Sequence, residues 1–483
     1  MQELKTLLAQ LNTQALKDVA PNLSLDALFE CLHGTNRDQV EESGNILKKL
    51  FEAMEPSFVI SQYKDQLHDG MKSDSEPIKQ LSLTQIHRCV NTEKGSGEIL
   101  NTSVELVYQC VLCIADKEIS VAEEAIKILT CIGKSQAGLE FLFHRTLLQE
   151  LKKVMQKSDI IRYRVYEYIV NVLQLSSQAL EYCSNCGIID QLVSELEGDD
   201  TLVQMNCIEM LSNIASCQHG LHYLDQQGIT QKLETMMSSS DSDPMIGFLL
   251  PGLIKFFGSV AKFEPNEVFE KHPLFAGVVF SLLSTPDPTQ KGVAIDTIGV
   301  VGSSVSGKLV LNKQGKVMEK AVQELGSAIL QPPTEIRIRA LAAITSLLQV
   351  KISEQTEDVL SITEKWFNAV HAKPIDTIIS LCKQPFLEIR CGALSVIQSL
   401  ANQMWGQRLL NDQPGLAEYL LDRSTEKDKI GKEMKYAVVQ TLVESPTTGD
   451  VFGRPYLLRL KEYLRQGPFY VRVQSEVAME GST

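Results

Sequence analysis

The residues best suited to chemistry in this 483-residue chain are one glycine-lysine loop, two cysteine pairs and eight histidines. Gly302-Ser303-Ser304-Val305-Ser306-Gly307-Lys308-Leu309 has the spacing of a phosphate-binding loop, where backbone N–H groups and a lysine cradle a polyphosphate. Leu309, however, stands where a hydroxyl should bind Mg2+, and residues 294–301 before it have a helical pattern rather than that of a strand. Cys110-x-x-Cys113 and Cys183-x-x-Cys186 each supply half of a zinc-ribbon pattern. The two pairs lie about 70 residues apart with no His at ligand spacing, whereas structural zinc generally takes four ligands. Ser306-Gly307 lacks the strand–turn–helix setting of a nucleophile elbow. The histidines, among them His33, His68, His87 and His272, form no cluster in the sequence that suggests a general base or a metal site. The expectation is therefore no enzyme, no cofactor and no metal.

The elements that carry these residues explain most of them. In the stretch 199–216, Val203, Cys207, Leu211, Ile214 and Ala215 recur at three- and four-residue steps, the period of one apolar helix face. Asp199 and Asp200 stand where a helix start favours an acidic residue. The same frame returns with Ile78, Ser82 and Ile86; Val121, Ala125 and Leu129; Ile161, Val165 and Ile169; Gln290, Ala294 and Ile298; Ile336, Ala340 and Ile344; and Ile389, Ala393 and Ile397. A second frame precedes the helices: Gly97, Gly138, Ala179 and Gly220 are spaced 41 residues apart. A further glycine follows eight residues on at Gly187, Gly228 and Gly315. Three helices in about 40 residues is the period of armadillo and HEAT repeats. The expected fold is all-α, an armadillo/HEAT-type α-solenoid forming a curved right-handed superhelix with irregular caps.

Residues 1–75 read as an irregular N-terminal helical cap, 76–429 as the repeats, 430–470 as a C-terminal helical cap and 471–483 as a flexible tail. The period breaks at 351–380, where an insertion containing Trp366 is expected. The polar run 238–244 reads as an inter-repeat loop, with a hinge between two halves as the alternative, and Phe256-Phe257 as core.

A net charge of −14 argues against nucleic acid as a partner. Eleven cysteines, an odd number scattered over apolar helix positions, point to a reducing compartment, cytosol or nucleus. The start Met1-Gln2-Glu3-Leu4-Lys5 lacks the character of a signal peptide. The most apolar stretch, 245–261, is interrupted by Pro251 and Lys255 and is too short to span a bilayer, so no membrane is expected and the chain should be soluble.

If the long third helices line the concave face, as in armadillo proteins, the positions two and six residues after each small anchor should project from it toward a partner. These are Glu167 and Asn171, Glu209 and Asn213, Lys127 and Cys131, and Asp296 and Val300. Arg162 and Arg164 flank this stripe and are expected to pair with it. The segment 208–216 resembles the third armadillo helix of importin-like proteins, in which a Trp and an Asn clamp an extended peptide. Here Asn171 and Asn213 match, but Glu167 and Glu209 hold the Trp positions, so the ladder is broken. An importin-like adaptor for extended basic peptides is the alternative reading; acidic Glu167, Glu209 and Asp296 suit a folded partner with basic groups better.

The chain also resembles, over its whole length, the helical-repeat assembly chaperones of the proteasome regulatory particle. The resemblance is carried by Asp241-Ser242-Asp243-Pro244, the stretches 250–258 and 303–311, Gln384-Pro385-Phe386, Trp405 followed by Pro414-Gly415, and Gly467-Pro468-Phe469-Tyr470-Val471. It implies a non-catalytic protein that binds the C-terminal domain of a base ATPase subunit. It further implies an intermediate shared with a neighbouring ATPase and a base scaffold subunit, from which the chaperone departs before the proteasome is finished. Alone, the chain is expected to be a monomer. The family supplies no residue-by-residue motif, so the docking positions above rest on geometry alone.

Overall fold

Three of the long helices start at a short polar side chain that accepts the first free N–H groups. Asp200 Oδ1 accepts from the N–H groups of Leu202 (2.9 Å) and Val203 (3.3 Å), and Ser158 and Asp287 do the same for two other long helices. The structure, a computed structural model, describes residues 13–32, 34, 36–239 and 244–471. His33, the segment 240–243 of the polar run and nearly all of the expected flexible tail lie outside the described residues.

Among the described residues, and beyond the helices Arg37–Ala53 and Pro56–Lys72 that precede them, nine long helices form the backbone of the repeats: α1 (Glu76–Val90), α2 (Ile119–Ile132), α3 (Asp159–Leu173), α4 (Thr201–Ile214), α5 (Pro244–Phe263), α6 (Pro288–Val301), α7 (Thr334–Leu348), α8 (Leu387–Ala401) and α9 (Lys429–Glu444). The chain divides into two compact units, residues 1–229 and 230–483. In the first, α1 packs on α2, α2 on α3 and α3 on α4; in the second, α5 through α9 pack on one another in the same order. Two shorter helices join each long helix to the next, as in Gln136–Leu142 and Arg145–Met155 between α2 and α3. The repeating apolar frame is the buried face: Val121, Ala125, Leu129, Val165, Ile169, Cys207, Leu211, Ala294, Ile298, Ala340 and Ile397 are all essentially inaccessible. Each unit is thus an all-α stack of the HEAT/armadillo type, and no strand occurs among the described residues.

The glycine frame has a steric cause, and it corrects one expected position. A Cβ on Gly138, Gly220 or Gly307 would lie 1.9, 2.1 or 1.8 Å from the carbonyl oxygen of Ile132, Ile214 or Val301. At these three crossings the first short helix therefore meets the end of the preceding long helix too closely for a side chain, whereas the equivalent position between α3 and α4 holds Ala179. In the first repeat that role belongs to Gly95, 2.2 Å from the Cys89 oxygen, and not to Gly97, around which a Cβ meets nothing. The capping hydroxyl marks the true register: Thr92, Ser135, Ser176 and Ser304 each accept from the N–H three residues on, at Gly95, Gly138, Ala179 and Gly307.

Residues 351–380 also differ in form from the expected insertion. They fold as a 3-10 turn (Ile352–Glu354), a first short helix lengthened to 14 residues (Glu357–Val370) and the start of the usual second one (Pro374–Leu381). Trp366 is buried within the stack at 2% exposure. Phe256 and Phe257 are fully buried as expected. No single helix among the described residues is long and apolar enough to cross a membrane.

Candidate docking surface

The loop that resembles a phosphate cradle is closed by its own lysine. Lys308 is fully buried, and its Nζ donates to the carbonyls of Gly302 and, at 2.9 Å, Ser346. It thereby satisfies carbonyls at the C-terminal ends of α6 and α7 and holds two consecutive repeats together. Burial pushes its ammonium down to about 8. No cation is left there for a phosphate. The cysteine pairs are likewise core. Cys110, Cys113, Cys183 and Cys186 are buried free thiols, and Cys186 Sγ donates to the Cys183 carbonyl at 2.9 Å. Among the described residues no group of three or more His, Cys, Asp or Glu is placed to hold a metal ion.

The positions counted from the anchors differ in exposure. Lys127, Glu167, Glu209 and Asp296 are exposed, as are Asn213 and Val300; Asn171 is half-buried. Lys127, Cys131, Arg162, Arg164, Glu167, Asn171, Glu209 and Asn213 lie in the first unit, and Asp296 and Val300 in the second. Lys127 pairs with Glu124 on its own helix at 3.4 Å. Asp296 pairs with Arg339 at 3.0 Å, and burial still raises its carboxyl above the ordinary value. Burial, and next the nearby Glu123, also raise Glu167, with Arg164 opposing. Glu209 has no ion-pair partner among the described residues.

The two arginines are committed inside the stack rather than to the stripe. Arg164 donates to the carbonyls of Ile114 (3.0 Å) and Asp116 (2.6 Å), closing the end of the helix Val104–Cys113 one repeat earlier. Arg162 pairs with Asp159 at 2.6 Å and with Glu195 at 2.8 Å. Its position recurs as an internal tie. Gln204 donates to the carbonyls of Leu196 and Gly198, Arg337 to Ile329, and Arg390 to Gln384 and Pro385. In α4, α7 and α8 the side chain after the first apolar anchor thus fastens the loop behind the helix. Sequence reasoning placed Arg162 and Arg164 beside the stripe but could not see these carbonyls, which come from other elements.

What the sequence reading missed is apolar. Ile160 and Leu202 are 69% and 71% exposed, and Met205 is 44% exposed. Ile160 stands seven residues before Glu167, and Leu202 seven before Glu209, so each pair shares one helix face. Leu202, Met205, Glu209 and Asn213 then form one outward stripe on α4. On α3, Ile160, Glu167 and Asn171 form another, next to it. Ile160 and Leu202 each adjoin a half-buried apolar residue, Ile161 or Val203, and a run of two apolar residues had read simply as core.

Stacked helices repeating in this way define a helical-repeat protein of the HEAT/armadillo type. A profile described as Proteasome non-ATPase 26S subunit matches residues 1–483, and the chain belongs to that family. It is 41% identical over 483 residues to the 26S proteasome non-ATPase regulatory subunit 5 of Homo sapiens, covering 100% of this chain and 96% of that one. The protein of the same name from Drosophila melanogaster is 23% identical over 470 residues, covering 96% and 86%. Among solved structures, importin beta aligns with a TM-score of 0.57 at 13% identity, covering 94% of this chain and 62% of its own. That likeness speaks to the fold alone, and it agrees with the HEAT/armadillo stack.

Proposed function

We propose that this protein is a non-catalytic chaperone for assembly of the base of the 26S proteasome regulatory particle. In this reading it clasps the C-terminal domain of a base ATPase subunit, in an intermediate with a neighbouring ATPase and a scaffold subunit. The clasp covers a surface needed for docking to the core particle, and so delays that step. The family and the name of its relatives, non-ATPase regulatory subunit, place it with proteasome components. The observation that carries the rest is the pair of outward stripes on α3 and α4. Ile160, Leu202 and Met205 offer apolar area, while Glu167, Glu209, Asn171 and Asn213 offer acidic and polar groups. Such a surface fits a folded, basic partner. A rigid stack binds without paying to order itself. The working compartment is the cytosol, with the nucleus as a second site.

A pull-down from cell lysate with this chain as bait, read by mass spectrometry, tests the reading. Base ATPases with a scaffold subunit and without core-particle subunits are the expected catch. Recovery of basic cargo peptides without proteasome subunits would replace it with the adaptor reading.

A further inference from the structure

Three side chains from two neighbouring repeats meet beside the outward face of the first unit. His87 comes from the last turn of α1, and Glu124 and Cys131 come from α2, seven residues apart and hence on one face. His87 Nδ1 lies 2.6 Å from Glu124 Oε1, and His87 Nε2 lies 3.8 Å from Cys131 Sγ. The other Glu124 oxygen faces Lys127 at 3.4 Å. His87 and Glu124 are mostly covered, at 28% and 17% side-chain exposure, and Cys131 is half-buried. The carboxylate and the thiol sit on opposite nitrogens of the ring, so the three do not converge on a metal.

That order has a chemical consequence. A carboxylate on Nδ1 fixes the ring proton on that nitrogen, leaving the lone pair of Nε2 directed at the thiol. This is the arrangement of a base-assisted thiol nucleophile. The same chain contains its own control. Cys217 Sγ lies 3.4 Å from His219 Nε2, but that nitrogen also lies 2.8 Å from the Leu173 carbonyl. A carbonyl only accepts, so Nε2 of His219 carries the proton and has no lone pair for the thiol.

We propose that Cys131 is a modification site, activated by His87 and Glu124 for exchange with small-molecule disulfides such as oxidised glutathione. In the step, Cys131 sulfur attacks one sulfur of the disulfide as its proton moves to His87 Nε2. A new S–S bond joins Cys131 to one half of the reagent. The old S–S bond breaks, and the other half leaves as a thiolate that recovers the proton from the imidazolium. One disulfide and one thiol are consumed, and one mixed disulfide and one thiol are produced. His87 acts on the reacting atom; Glu124 is a positioning residue.

The experiment incubates the folded full chain with oxidised glutathione and follows each cysteine by peptide mass spectrometry. Cys131 should be modified about a hundredfold or more faster than Cys217, the low end of the range for a positioned base. His87→Gln should bring Cys131 down to the Cys217 rate without altering helical circular dichroism, and Glu124→Gln should remove part of the advantage. In denaturant the two cysteines should react alike. Equal native rates, or an unchanged Cys131 rate in folded His87→Gln, would overturn the proposal. If His87→Gln does not fold, an unchanged rate in Glu124→Gln overturns it instead.

Discussion

At the scale of single residues, Lys308 shows how a motif can be emptied of its chemistry by packing. The lysine that would meet a phosphate is turned inward onto the carbonyls of Gly302 and Ser346. Its ammonium is lowered to about 8 by burial, against an ordinary value of 10.5. Between those values the unfolded chain binds the proton and the folded chain has released it, so this group adds stability as pH rises from about 8 to 10.5. Denaturant titrations across that window should show the Lys308→Met protein rising less steeply than wild type, by at most about 1.4 kcal/mol per pH unit. Lys435, likewise lowered to about 8 by burial, keeps its own share of the slope in both proteins. On the outward face the logic reverses. Glu209 is exposed, so Glu209→Lys should leave the melting temperature nearly unchanged. It should also weaken capture of the basic partner by about tenfold, about 1.4 kcal/mol. Equal affinity in a binding titration would remove Glu209 from the docking surface.

At the scale of elements, the long helices were legible because their apolar residues repeat at 3.6 and their anchors must be small where α-helices pack. Val165, Cys207, Ala294 and Ala340 are all fully buried. Legibility failed where the signal was not periodic. Arithmetic at 41 residues favoured Gly97, while Thr92 hydrogen-bonded to the Gly95 N–H shows where the helix begins. The insertion near Trp366 looked like a separate feature because a lengthened helix and a loop shift the period alike. The grouping of His87 with Glu124 and Cys131 was invisible for another reason. It joins positions 37 and 44 residues apart, one repeat on, and only stacking brings them together. The glycine correction is directly testable. Gly138→Ala would push a methyl group into the backbone of Ile132 and should cost roughly 1–3 kcal/mol in chemical denaturation. Gly97→Ala, in open space within a helix, should gain about 0.5–1 kcal/mol.

At the scale of the whole molecule, stability in a repeat stack is close to a sum over neighbours. Leu211 is completely buried in α4, and Leu211→Ala should cost roughly 2–5 kcal/mol locally. Hydrogen exchange is the appropriate measure. Protection should fall in α4 and in α3, against which it packs, while α7 and α8 of the second unit keep theirs. A uniform loss of protection through all nine long helices would mean that the chain unfolds as one cooperative body.

The ties that close each helix end set an order in time as well as in space. Arg164 caps carbonyls of residues 114 and 116, Lys308 reaches Ser346, and Arg423 donates to the Gly467 carbonyl. Each bond joins residues some 40 to 50 positions apart. During synthesis, then, a repeat is finished only when the ribosome has delivered the next one. Within each unit the growing chain carries one open end of about a single repeat, which moves along as each new repeat is delivered.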